Sequence, residues 1–211
     1  MTDPEQILAF WFPPGLDRDA AAHRRQLDWW FRGESDRAVS ERFLPALEAA
    51  RRGALDSWAS APRSRLALII VLDQFSRSAY RDTAEAYAQD GKALGLALDG
   101  LERGFYDRLA AVWERMFFTM PLSHSERLDL HERNVALAEA LVEAAPAHLR
   151  DIYVFSAEQA RGHRDVVRRF GRHPHRNAIL GRVSTPAELA YLAAGDFVHR
   201  RSMPPAAPGG A

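Results

Sequence analysis

The run Leu66-Ala-Leu-Ile-Ile-Val-Leu72 is apolar at every position, so as a helix it is hydrophobic on all sides and has to lie in the middle of a domain. It falls far short of the ~20 apolar residues a membrane-spanning helix needs. Pro62 just ahead reads as a first-turn proline, and the spacing predicts a central helix from Arg63 to about Tyr80. The rest of the chain must then supply amphipathic faces to cover it.

Those faces are present. Apolar residues recur at three- and four-residue steps along most of the 211 residues, and alternating stretches rich in valine, isoleucine or threonine are missing, so the chain reads as all-α. Asp3, Pro4 and Gln6 form a cap, a first-position proline and a capping-box partner for a short helix carrying Ile7, Leu8, Phe10 and Trp11, which Pro13-Pro14-Gly15 stops. Further helices are expected from about Asp17 to Phe31 and from about Ser35 to Arg52, with Pro45 kinking or dividing the latter. Asp82-Thr83-Ala84-Glu85 starts the helix after the central one. Ser123 with Glu126 reads as a capping box for a helix to about Ala145, Pro146 opens another to about Phe170, and Thr185, Pro186 and Glu188 start a short last helix ending near Gly195. Eight to nine helices with short connections predict antiparallel helix pairs stacked in a tetratricopeptide-like array, forming a single helical domain over 1–200 with a disordered tail over 201–211.

Composition narrows the chemistry. Hydrophobic residues at 47% and charged residues at 27% describe an ordinary globular chain. The absence of cysteine removes disulfide frameworks, cysteine zinc sites, iron–sulfur clusters and thiol nucleophiles together. The start, MTDPEQILAFWF, is acidic where a secretory signal is basic, so the expected location is cytoplasmic with no membrane partner. Lys92 is the only lysine, so nearly all positive charge is arginine, the residue suited to bidentate carboxylate and phosphate binding.

Three polar clusters stand out. In LDQFSRSAY, Asp73 and Arg77 lie one helical turn apart directly after the apolar run, with Gln74 and Tyr80 able to line the same space; an internal ion pair and a site role both fit. In MPLSHSERLDLHE, Glu126 is explained by the capping box alone. His124, read as a first-turn residue, feels the positive end of a helix dipole, which favours its neutral ring. In the third cluster, from Arg161 to Arg182, seven arginines and three histidines stand against the single acid Asp165. There Gly171 and Pro174 interrupt the helix and leave His175, Arg176 and Asn177 on irregular backbone, where functional side chains are usually displayed. His163, Arg172 and Arg182 border the same segment.

Several chemistries find no support. No HExxH spacing occurs and His173-Pro-His175 makes a poor chelate, so no metal and no other cofactor are expected. Helix-turn-helix, RRM and zinc patterns are missing and the net charge is zero, which argues against nucleic acid. Phosphate-loop, dinucleotide and GxSxG fingerprints are absent too.

The segments ILAFWF, LALIIVLDQFSRSAYRDTAEAYAQD, MPLSHSE and FGRHPHRNAILGRVSTPAEL together make the chain resemble the bacterial domain of unknown function 924 family, over nearly everything from Ile7 to Phe197. The resemblance implies an all-helical, tetratricopeptide-like fold and no assigned activity. The chain differs from the family pattern in having Ser76, Arg77 and Ser78 after DQF, where proline, arginine and asparagine are usual, and His173 in place of phenylalanine.

Function is therefore expected from the polar residues themselves: a pocket for a small anionic molecule, carboxylate or phosphate, with metal-free acid–base chemistry. Arg77, Arg172 and Arg176 clamp the anion in this reading, helped by Gln74, Tyr80, His163, Asn177 and Arg182. His124 or His175 exchanges a proton, and Asp73 or Glu126 orients one of them. The alternative is a non-catalytic tetratricopeptide-like scaffold that binds a peptide or protein partner.

Overall fold

A computed structural model describes residues 2–204. Among them the chain forms nine helices and no strand: α1 (Pro4–Trp11), α2 (Ala20–Phe31), α3 (Asp36–Arg51), α4 (62–79), α5 (Asp90–Glu102), α6 (Val112–His124), α7 (Leu128–Ala144), α8 (Arg150–Phe170) and α9 (Pro186–Ala194). Short 3-10 turns fill several of the connections.

Helix α4 is the expected central helix. Leu66, Ala67, Leu68, Ile69, Ile70, Val71 and Leu72 are all fully buried, and α1, α3, α5 and α6 pack around them. Near its C-terminal end, over Val71–Phe75, α4 widens into a π-helical turn before closing again over Ser76–Ala79. Such turns mark an extra residue taken into a helix, often at functional positions; this one carries Asp73 and Gln74. One side of α4 meets an aromatic cluster in which Trp30 and Phe117 lie 4.8 Å apart and Trp11 and Phe117 5.7 Å apart, both edge to face. The Trp30 indole donates to the Trp11 carbonyl at 2.8 Å, so its polar handle is satisfied inside.

Two arginines anchor the N-terminal half of α4. Arg63 reaches Glu5 on α1 and Glu114 on α6. Arg65 is 3% exposed and gives its guanidinium to the Ala59 and Leu96 carbonyls and to Asp99, tying α4 to α5. Beside it, Gly100 lets α5 approach closely: a Cβ there would meet Phe118 Cζ at 2.4 Å and Arg65 Cδ at 3.0 Å.

Consecutive helices α5 to α8 pack as neighbours, and α7 and α8 form a hairpin across the short turn at Ala147–Leu149. Glycines in the left-handed region close α8 at Gly171 (φ 69°) and α9 at Gly195 (φ 70°), and the Thr185–Glu188 capping box opens α9. Pro45 does not divide α3, which runs through it as one element. Of the expected tail, Ser202 Oγ accepts from Arg32 and the Pro204 carbonyl from Arg24, so residues 202–204 lie along α2; the remainder, 205–211, falls outside the described residues. Among the described residues no helix is long and apolar enough to cross a membrane.

Gly95 and Gly100, two of the three glycines of α5, give a paired test. Gly100→Ala should lower stability by about 1–3 kcal/mol through overpacking. Gly95→Ala, whose added Cβ meets nothing within 4 Å, should raise it by roughly 0.5–1 kcal/mol through helix propensity. Urea unfolding midpoints measure both.

Candidate functional site

The π-helical turn of α4 places the Asp73 carboxylate in the interior, 1% exposed, where it must be paired. Arg77, one turn on, donates to Oδ1 at 3.0 Å and to the Asp73 carbonyl at 2.8 Å. Gln74 Nε2 donates to Oδ2 at 2.5 Å. His124, the last residue of α6, lies 2.7 Å from Oδ1 through Nδ1. Burial alone would raise the Asp73 carboxyl, but Arg77 and then His124 outweigh it and hold it well below the usual carboxylate range. An ionised carboxylate only accepts, so His124 Nδ1 carries the proton and Nε2 presents a lone pair.

His124 occupies the last turn of α6, where the helix dipole favours the protonated ring, the reverse of the effect expected for a first-turn residue. Burial, and after it the Arg77 charge, nevertheless push its pKa below the ordinary histidine value, against the pull of Asp73. The ring is neutral at pH 7, by a cause other than the one the sequence suggests.

Arg77 extends the network to Asp90, the first residue of α5, at 3.0 Å. Arg176, in the turn after α8, meets the same Asp90 at 3.3 Å and donates to the His124 carbonyl at 3.0 Å, with its guanidinium 4.8 Å from the centre of the Tyr87 ring. These groups border a groove of about 400 Å³, lined on its polar side by Asp90, His124, Ser125, Glu126, Arg127 and Arg176, and on its apolar side by Tyr87, Leu94, Pro121 and Leu180. The volume lies within the range of small-molecule sites, roughly 300–1,000 Å³. No described group bonds His124 Nε2.

The wall formed by residues 125–127 is held from behind. His131 Nε2 and His173 Nε2 both reach the Ser125 carbonyl, at 2.9 and 3.1 Å, and a carbonyl only accepts, so both rings carry their proton on Nε2. Their buried Nδ1 atoms have no partner. Glu126 accepts from the His173 backbone N–H at 2.8 Å and from Arg182 at 2.8 Å. It sits in the loop between α6 and α7 and caps neither, because α6 runs on through Ser123, the expected cap residue.

The expected site residues thus separate into two sets. His124, Glu126 and Arg176 line the groove, with Asp73, Gln74 and Arg77 immediately behind, and Arg182 reaches it only through Glu126. The others lie elsewhere. Arg172 clamps Glu188 at 2.6 Å and the Val183 carbonyl, pinning the start of α9. Asn177 is buried and donates to Ser184. Tyr80 donates to Glu48 on α3. His163 and His175 pack on the His173 ring at 5.9 and 5.5 Å, and His175 on His199 at 4.4 Å. Among the described residues no three histidine or carboxylate side chains converge in metal-binding geometry. Sequence reasoning missed Asp90 and Tyr87. The signal for Asp90 was a first-turn acid on a chain whose neighbouring clusters hold an excess of arginine.

Two measurements probe this network. Asp73→Asn leaves the Arg77 charge inside with one partner fewer and should cost about 3 kcal/mol, read as a lower urea midpoint. The second uses pH. Burial holds His131, His163 and His173 below the ordinary value of 6.5, so between the folded and unfolded values the unfolded chain binds more protons. Stability is then complete above pH ~6.5 and declines as pH falls below it. Urea titrations at pH 7.5 and 5 should show the drop, and His173→Phe should flatten it.

No curated protein matches the chain. A solved structure of a protein of unknown function from Agrobacterium tumefaciens is similar to it, with 36% sequence identity and a TM-score of 0.66, covering 84% of this chain and 100% of that one. The family described as bacterial protein of unknown function (DUF924) matches residues 7–196, a span that includes every groove residue and the whole Asp73 network. The chain belongs to that bacterial family.

Proposed function

We propose that the groove binds a small molecule bearing a carboxylate or phosphate group, and that His124 exchanges a proton with it. One observation carries the reading: Asp73 holds His124 by Nδ1 at 2.7 Å, while the unbonded Nε2 belongs to a ring that lines a groove also lined by Arg176. A carboxylate behind one ring nitrogen fixes the tautomer and stabilises the imidazolium formed when the other nitrogen takes a proton; this is the arrangement of a general base. The lowered pKa of His124 keeps it in the accepting form at neutral pH. The Arg176 side chain is 8% exposed and its Nη2 bonds no described group, so a bound anion gains a largely desolvated donor. Arg77 acts through Asp73 and Asp90 and is a positioning residue.

A second reading, the tetratricopeptide-like scaffold for a peptide or protein, draws on a different observation. The arginines around the groove all have carboxylate partners, which is also how charges hold helices together without any ligand.

Thermal unfolding with a panel of small carboxylates and phosphates separates the two. A ligand at about a hundred times its Kd should raise Tm by about 5 °C or more, and Arg176→Ala should abolish the rise. His124→Gln should leave binding within a few-fold while removing any turnover. A flat response across the panel, together with a protein partner whose capture tolerates Arg176→Ala, would overturn the small-molecule reading in favour of the scaffold.

A further inference from the structure

The geometry points to a zwitterionic occupant of the groove: we propose an α-amino acid with an apolar side chain. This inference rests on the groove being a small-molecule site and narrows what enters it.

The ionic groups around the groove already balance one another. Arg77, Arg176 and Arg182 are matched by Asp73, Asp90 and Glu126 through direct contacts. A phosphate dianion would add uncompensated negative charge beside Asp90 and Glu126, and would compete with Asp90 for Arg176. A ligand with one charge of each sign adds none.

The atoms still open to a ligand have a definite polarity. His124 Nε2 is a lone pair in the tautomer that Asp73 enforces, so it accepts and cannot donate to an anion. Glu126, with 31% of its side chain exposed, is a second acceptor on the same wall. Arg176 is the donor facing them, with Nη1 engaged by Asp90 and the His124 carbonyl, Nε sealed inside, and Nη2 bonded to no described group. Two acceptors beside one cationic donor match an ammonium and a carboxylate on a single small molecule. In the remainder of the lining, Leu94, Pro121 and Leu180, with Ala84 and Ala88, leave a hydrocarbon surface for the side chain.

Isothermal titration of the whole chain with leucine, phenylalanine, N-acetylleucine, leucinamide and inorganic phosphate tests this. Leucine or phenylalanine should bind, and losing the ammonium by acetylation or the carboxylate by amidation should weaken leucine at least about tenfold. Glu126→Gln should cut the affinity for leucine and leave that for N-acetylleucine unchanged. N-acetylleucine binding as tightly as leucine, or phosphate binding while both amino acids do not, would overturn the zwitterion and leave the anion site standing. If no compound in this series or in the earlier panel binds, both readings fall together.

Discussion

A carboxylate sealed inside the most apolar helix of a chain is tolerable only if the fold brings donors to it, and much of this structure can be followed outward from that requirement. Asp73 draws Arg77 and Gln74 from its own helix and His124 from the end of α6. Arg77 spends only Nη1 on Asp73, and Asp90 at the start of α5 takes the other side of the guanidinium through Nη2. Asp90 in turn holds Arg176, which fixes the turn after α8. Four segments distant in sequence are thereby joined by alternating charge, and the groove is the space left where they meet.

The arginine- and histidine-rich run from 161 to 182 looks in sequence like a surface waiting for an anion, and the fold consumes most of it. Arg168 pairs with Glu132 on α7, Arg172 with Glu188 on α9, and Arg182 with Glu126. His173 of the same run turns inward, packs against His163 and His175, and with His131 braces the Ser125 carbonyl from behind the groove. Neutral imidazole suits this task because it can donate to a carbonyl and still be buried, which a permanent cation could do only with a counter-ion.

Legibility in the sequence followed how local each signal is. The Asp3 and Thr185 capping boxes, the Pro62 start and the Gly171 stop each involve residues within one turn of one another, and each appears where spacing predicted. Helix α6 left no individual trace: its N-cap is Ala111 and Pro121 lies within it. Without that helix, Ser123 and Glu126 looked like a cap, and His124 was assigned to the wrong end of a dipole. Of the site, Asp73, Gln74 and Arg77 could be read because one helix holds them all, whereas Asp90 and Tyr87 belong to the groove only through contacts that no spacing rule reports.

The amino-acid order by itself determined the helical class, the buried position of 66–72 and the burial of an aspartate next to it, because periodicity, caps and a wholly apolar run act over a few residues each. Only the tertiary structure decided which arginine faces the groove and which is spent on a neighbouring helix, and which nitrogen of His124 is free. Those outcomes depend on which carboxylate or carbonyl arrives within about 3 Å, and that is set by the packing of whole helices.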